Sequence, residues 1–426
     1  MTASVHFTED LLFSTLLQLI VMILCARVGN NIARRMEQPG AVGEIVAGLM
    51  LGPSLFGHYF PQSAASIFGK TASTPITIIS QIGLVFLMFQ IGTDFEFGLL
   101  SHRRNRNATI RIAVASIGVP FTLGFLVGNV SASVLAPNID ALIYSLFLGV
   151  GMAITAVPTL GRILREYDLT RTEVGVVAIS AAAINDVAGW VLLAGIAAYA
   201  SAQFSVIGMG AQVAGIVGLL AVAWFALRPL VGWLLRKYPI RNNEVPSNLI
   251  AIVICLIFAA GICTYKLGIF AIFGGFLVGL LFHHYKDFVS AWRHQIGQFV
   301  LVFFLPVFFT YTGLRTNVLG LVSATDWQWL IVVLAAATLG KIIPVYFTAR
   351  FSGFSQGESM VLGSLMNTRA LMELIVLNVG YDMGFIPQNV FTILVIMAVA
   401  TTIMTGPLLK ILLPRTGHSI PVRVEA

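Results

Sequence analysis

The sequence predicts an all-α polytopic membrane protein with thirteen transmembrane helices. Of its 426 residues, 58% are hydrophobic and only 10% charged, whereas a soluble domain carries about a quarter charged residues. Breaks at polar or Gly/Pro-rich positions divide the chain into apolar stretches near the length of about 20 residues that crosses the hydrocarbon core. The basic residues then fall on alternate breaks, the positive-inside pattern.

In chain order the stretches run over 11–33, 41–58, 76–93, 108–131, 141–163, 172–200, 206–235, 246–265, 268–284, 296–319, 328–350, 358–381 and 387–413. Polar residues interrupt 139–200 more than the rest. Twenty of the 25 basic residues, among them Arg34, Arg35, Arg103, Arg104, Arg236, Lys237 and Arg350, lie on one side of this cut. Only Lys70, Lys266 and Arg315 lie on the other, and Lys341 and Arg369 fall inside spans. The pattern places the N-terminus outside and the C-terminus in the cytoplasm. It also makes the net charge of +7 a topology signal and gives no support for a nucleic-acid partner. The acidic start, MTASVHFTEDLLF, lacks the basic segment of a cleavable signal peptide. One transmembrane domain is expected over 1–413, with a short cytoplasmic tail at 414–426.

Several chemistries are absent from the pattern. Cys25, Cys255 and Cys263 have no disulfide or metal spacing and are expected to pack as small apolar residues. No histidine lies mid-span, which argues against haem. There is no P-loop and no catalytic triad. Neither an enzyme nor a resident cofactor is expected.

Two pairs of segments suggest an internal repeat. GEIVAGLMLG (43–52) is similar to FAIFGGFLVG (270–279), and SLFLGVGM (145–152) to SMVLGSLM (359–366). Each pair joins stretches seven apart in order, which run in opposite directions. An inverted repeat of about 11–200 against 246–413 follows, with 206–235 as linker, and such repeats place transport sites at interrupted helices near the midplane. The candidates for interruption are MAITAVPTLGRIL, with Thr155 and Pro158 mid-span, and MNTRALMEL, with Asn367, Thr368 and Arg369 at the equivalent depth. Proline removes a backbone donor and clashes with the preceding turn.

Four charges sit far from any span end: Asp186, Lys341, Arg369 and Glu373. A charge at the bilayer centre costs at least about 2.5–3.5 kcal/mol, so each needs a partner or a use. For Asp186 two readings compete, a static salt bridge to Lys341 or Arg369 and a carboxylate that exchanges a proton for a cation. Burial and a nearby positive charge act on a carboxylate in opposite senses, which favours the second. The same oxygens suit a hard monovalent cation, with Asn185 and the Thr155 hydroxyl beside them. Asn185 alone also fits an interhelical hydrogen bond, and Thr155 a bond to the carbonyl four residues back. Arg369 and Glu373, four apart, read as a structural pair. Lys341 either competes with the cation or neutralises the negative end of a half-helix. Glu44 reads as a helix-end residue, Asp94 and Glu96 as a solvated face, and His283, His284 and His294 as loop histidines.

With these residues in view, the chain resembles the monovalent cation:proton antiporters of the second cation–proton antiporter family over its whole membrane domain. The matching stretches are QPGAVGEIVAGLMLGPSLFG (38–57), GMAITAVPTLGRIL (151–164), AISAAAINDVAGW (178–190) and MNTRALMELIVLNVG (366–380), the last two most similar to plant cation/H⁺ exchangers and their bacterial relatives. The resemblance implies a Na⁺/H⁺ antiporter-like fold in which the two broken helices cross beside Asp186. It further implies a homodimer in the cell membrane and elevator-type exchange of Na⁺ or K⁺ for H⁺. The electrogenic members carry two adjacent aspartates where this chain has Asn185–Asp186, which leads us to expect an electroneutral 1:1 exchange. A cation channel without proton coupling and a sodium-coupled symporter of organic anions are the alternatives.

Overall fold

A computed structural model of the protein describes residues 2–36, 38, 40–69, 74–93, 103–169, 172–201, 206–267, 270–369 and 371–416. Asp94, Glu96, Lys70 and the tail from 417 lie outside the described residues. The described structure is helical throughout, apart from one isolated bridge between Arg241 and Glu244.

The principal helices are α1 (Thr2–Arg35), α2 (Gly40–Leu51), α3 (Thr74–Thr93), α4 (Arg103–Leu135), α5 (Ala141–Ala153), α6 (Val157–Glu166), α7 (Glu173–Ser201), α8 (Val206–Val222), α9 (Arg228–Lys237), α10 (Ser247–Lys266), α11 (Ala271–Phe282), α12 (Lys286–Trp292), α13 (Leu305–Leu314), α14 (Ala324–Phe351), α15 (Gln356–Met366), α16 (Leu371–Asp382) and α17 (Gln388–Leu412). Helix covers some part of all thirteen predicted stretches. Among the described residues, ten helical segments are long and apolar enough to cross a membrane, and α5 and α11 are shorter apolar helices. Of the three stretches missing from thirteen, one is α11, a single apolar helix of 12 residues, and the other two share a structural cause. Two of the stretches are broken mid-span, 141–163 into α5 and α6 and 358–381 into α15 and α16, and neither half of a broken helix is long enough alone.

By contacts the chain forms two compact units. The first comprises residues 1–24, 65–96 and 194–311. Its centre is α11, which presents glycine on two faces. Gly275 and Gly279 lie against the carbonyls of Val85 and Phe89 on α3, and Gly274 lies against Ala260 and Gly261 on α10. Backbones approach this closely only where no Cβ intervenes, the way helices associate where water offers no hydrophobic drive. A buried aromatic cluster of Phe89, Phe282, Phe288 and Trp292 closes one end of the unit, with ring centroids 4.5 Å apart for Phe282–Phe288 and 4.8 Å for Phe89–Trp292.

The second unit comprises residues 25–64, 97–193 and 312–426. In it α4 packs along α5 and α14, and α17 packs on α14, α15 and α16. Gly340 of α14 meets Pro120 and Leu123 of α4, so the two helices come together where proline interrupts one of them. α1 and α2 meet at Gly29 and Gly43.

Two expectations are corrected here. Glu44 is buried within α2, 3% exposed, and accepts a 2.6 Å hydrogen bond from Asn30 of α1, so it is an internal link and not a residue of an exposed helix end. Cys255 and Cys263 are exposed on α10 and Cys25 is half-buried. Cys255 and Cys263 thus face outward from α10 and do not fill a core.

Replacing Gly279 with valine forces a branched side chain onto the Phe89 carbonyl. A destabilisation of about 1–3 kcal/mol is expected, visible as a lower midpoint when the detergent-solubilised protein is heated and its folded fraction followed by size exclusion.

Candidate ion-exchange site

The site is built where the two interrupted helices of the second unit meet. Residues 154–156 are non-helical between α5 and α6, and so are 368–369 between α15 and α16. The interruptions bond to each other: Ala156 N–H donates to the Thr368 carbonyl at 3.2 Å, and the Thr155 hydroxyl donates to the Met366 carbonyl at 3.0 Å. From α17, the Thr402 hydroxyl accepts the Arg369 N–H at 3.2 Å. Backbone groups freed by the breaks are thereby satisfied inside protein, which is the condition for irregular backbone at membrane depth.

Two cationic side chains serve the carbonyl end of α5. Lys341 of α14 donates to the carbonyls of Ala153 and Ser116 and to the Thr155 hydroxyl, the last two at 2.7 and 2.8 Å. Its three donors are then used. Arg369 donates to the Gly151 carbonyl at 3.1 Å and to the Ala337 carbonyl at 3.2 Å. A cation is favoured at a helix C-terminus because the last carbonyls are unbonded and the dipole is negative there. Ser116 O is available for a specific reason. Four residues on, Pro120 has no N–H to give it. Of the two readings of Lys341, the geometry matches the neutralising one.

Asp186 lies on α7, 2% exposed, and neither carboxylate oxygen has a hydrogen-bond partner of good geometry. Its polar surroundings are the Val157 N–H, at the positive N-terminal end of α6, and the Lys341 ammonium. No ion pair joins it to Lys341 or Arg369, so the static salt bridge is not what the structure contains. Its neighbour Asn185 is fully engaged. The amide meets the Ser116 hydroxyl at 2.8 Å and that of Thr155 at 3.3 Å. We assign its oxygen to the Ser116 hydroxyl, because the nitrogen then donates to the carbonyls of Ala113 and Ala181, each at 3.2 Å, while the Thr155 hydroxyl proton is already given to Met366. The interhelical bond expected of Asn185 is present. Thr155 bonds across the crossing and not back along its own helix. Arg369 and Glu373 come within 3.7 Å, fully buried, but Arg369 is outside α16 and Glu373 makes no hydrogen bond. The pair is a loose electrostatic contact, with the guanidinium held mainly by carbonyls.

Thus Thr155, Asn185 and Lys341 form one bonded cluster, and Asp186 stands beside it with its acceptor capacity unused. His283, His284 and His294 belong to the first unit. His283 is at the end of α11, its ring against that of His284 with centroids 3.7 Å apart.

Residues 19–415 match the family described as "Sodium/hydrogen exchanger, transmembrane". The chain is 36% identical over 406 residues to the Na⁺/H⁺ antiporter NhaS4 of Synechocystis sp., covering 95% of this chain and 98% of that protein. The chain belongs to the sodium/hydrogen exchanger family. It is also 34% identical to cation/H⁺ antiporter 18 of Arabidopsis thaliana across 92% of its own length, and spans about half of that longer protein, 48%. Its fold is that of the sodium proton antiporter MjNhaP1 from Methanocaldococcus jannaschii at pH 8, with a TM-score of 0.63 at 16% identity, covering 94% of this chain and 96% of that one. The membership agrees with the resemblance read from the four stretches above.

Sequence reasoning did not pick out two features of the candidate site. Ser116 supplies both a carbonyl and a hydroxyl, and its only signal was Pro120 four residues later. Thr402 and Thr405 on α17 back the second interruption, Thr405 lying 3.4 Å from Thr368. Asn367, which the sequence placed at the second interruption, is fully buried with neither amide atom bonded.

Arg369→Ala leaves the Gly151 and Ala337 carbonyls and the Glu373 carboxylate without their cation. A loss of about 3–5 kcal/mol of stability is expected, seen as a large drop in thermal midpoint. Replacing Arg369 and Glu373 together by methionine should recover part of it.

Proposed function

We propose that the protein is a secondary antiporter that exchanges Na⁺ or K⁺ for H⁺, with Asp186 as the group that carries either the proton or the cation. The observation that carries this reading is the buried Asp186 carboxylate with no hydrogen bond, beside a site whose other polar groups are bonded to one another. A buried charge without a partner is expensive. A carboxylate persists there when it is neutralised in turn by each of two ions.

The name of the Synechocystis relative supports cation/proton exchange as the reaction. Asn185 and Thr155 flank the carboxylate and share in the site. In this conformation both are held by protein partners, so Asp186 leads the coordination and Asn367 offers a further amide oxygen. Lys341, Arg369 and Glu373 support the core. Thirteen membrane crossings, an inverted repeat about the two interruptions, a single exchanger domain over 1–413 and a homodimer complete the reading. The N-terminus lies outside and the C-terminus in the cytoplasm of the cell membrane. Alternating access is of the elevator type. With one exchanging carboxylate, the stoichiometry is 1:1 and electroneutral.

Asp186→Asn should abolish cation-dependent dissipation of a pH gradient in proteoliposomes while leaving the purified protein monodisperse. Full exchange by this variant would refute the assignment. A panel of Li⁺, Na⁺, K⁺ and Rb⁺ in the same assay identifies the cation.

Asn185→Asp tests the stoichiometry separately. It brings a second carboxylate to the Thr155 hydroxyl that Lys341 bonds. Wild-type exchange should be insensitive to an imposed membrane potential, and the variant's should become sensitive. A wild-type rate that already follows the potential would overturn the 1:1 reading and leave Asp186 in place.

A further inference from the structure

The first unit carries a basic groove that the transport reading does not use. It has a volume of about 480 Å³ and is lined by Arg228, Pro229, Gly232 and Arg236 of α9 and by Tyr285, the residue before α12. Positions 228, 232 and 236 recur every four residues and so share one face of α9. Gly232 makes room at its middle: a Cβ there would come within 3.1 Å of the Tyr285 hydroxyl. Two guanidinium groups therefore flank a phenol across a floor without a side chain. Among the described residues neither guanidinium is paired with a carboxylate. Arg228 instead lies over the Trp224 ring, 4.4 Å from its centroid.

The surface around the groove is apolar and aromatic. Trp224, Phe225 and Trp233 are 59%, 78% and 49% exposed, and Lys237 lies over Trp233 at 4.9 Å. Tryptophans with long basic side chains beside them are typical of the boundary between hydrocarbon and headgroups. A soluble anion would use the two arginines and leave these rings uncovered. A phospholipid uses both, the phosphate on the arginine fork and the acyl chains along the aromatic surface.

We propose that this groove binds the headgroup of an anionic phospholipid on the face that carries the basic loops. Arg228 and Arg236 hold the phosphate, Tyr285 donates to it, and Gly232 lets it enter. Basic pockets between membrane helices suit such headgroups, each arginine near the surface being worth about 1 kcal/mol.

The test uses the full-length protein in detergent, with phosphatidylglycerol, phosphatidylcholine and inorganic phosphate as probes. Native mass spectrometry should show one retained phosphatidylglycerol per chain, and added phosphatidylglycerol should raise the thermal midpoint where phosphatidylcholine does not. In Arg228→Gln/Arg236→Gln the apparent affinity should fall roughly 30-fold. Gly232→Val keeps both charges and fills the floor, and it should also weaken binding. It is the informative variant should the double substitution fail to fold. Equal phosphatidylglycerol binding by Gly232→Val and wild type would overturn the groove as the site. Inorganic phosphate reproducing the full shift at the same concentration would overturn a lipid in favour of a free anion. Neither result bears on Asp186, whose exchange activity is assayed separately.

Discussion

The structure depends on how the backbone is satisfied at the end of α5. A helix that stops in mid-membrane leaves its last carbonyls facing a medium without water. Here Lys341 takes the Ala153 carbonyl and Arg369 that of Gly151. These bonds reach in from α14 and from the second interruption, so the two cations stitch three parts of the unit to one helix end. The second interruption is tied in through Thr155 and Ala156. Once these groups are paired, little freedom is left in how the half-helices cross.

The same constraint sorts the buried charges by role. Lys341 and Arg369 are held by carbonyls, and both serve the scaffold at the crossing. Glu373 comes within 3.7 Å of the Arg369 guanidinium. Asp186 has no hydrogen-bond partner of good geometry, with the Val157 N–H and the Lys341 ammonium nearby, while Thr155, Asn185 and Lys341 are bonded to one another. The adjacent pair Asn185 and Asp186 thus divides structurally as well as chemically. The amide locks α7 to α4 and to the crossing, and on the proposed reading the carboxylate at the next position is left for an ion.

Much of this was legible in the sequence because the bilayer makes polar residues conspicuous. Asp186, Lys341, Arg369 and Glu373 stood out by depth alone, and Thr155–Pro158 and Asn367–Arg369 marked both interruptions. The partners of those residues were harder to read. Lys341 bonds two carbonyls and a hydroxyl, and a backbone carbonyl has no letter in a sequence. Pro120 was the one trace of the Ser116 carbonyl, recognisable only when a proline is counted for the acceptor it frees four residues earlier. Glu44 was misjudged for the opposite reason. Its position near a span end resembled a surface, while Asn30, its partner, lies on another helix. The lengths of the helical pieces were also obscured, because a broken helix reads as one apolar stretch and folds as two short pieces.

Charge counting over the buried set connects the structure to the proposed stoichiometry. If Lys341 and Arg369 each carry one positive charge and Asp186 and Glu373 one negative charge, the formal charges of the unloaded core cancel. A proton or a monovalent cation on Asp186 adds one positive charge in either case. The two loaded forms carry the same charge and meet the same electrostatic barrier, whichever ion is aboard. A carboxylate at 185 would break this equality, since the core could then hold two ions of one kind and one of the other. An amide there can bond Thr155 and Ser116 as a carboxylate would, yet adds no charge. On the proposed reading, the identity of residue 185 sets how much charge moves per cycle, and the crossing that it braces sets where the moving ion is held.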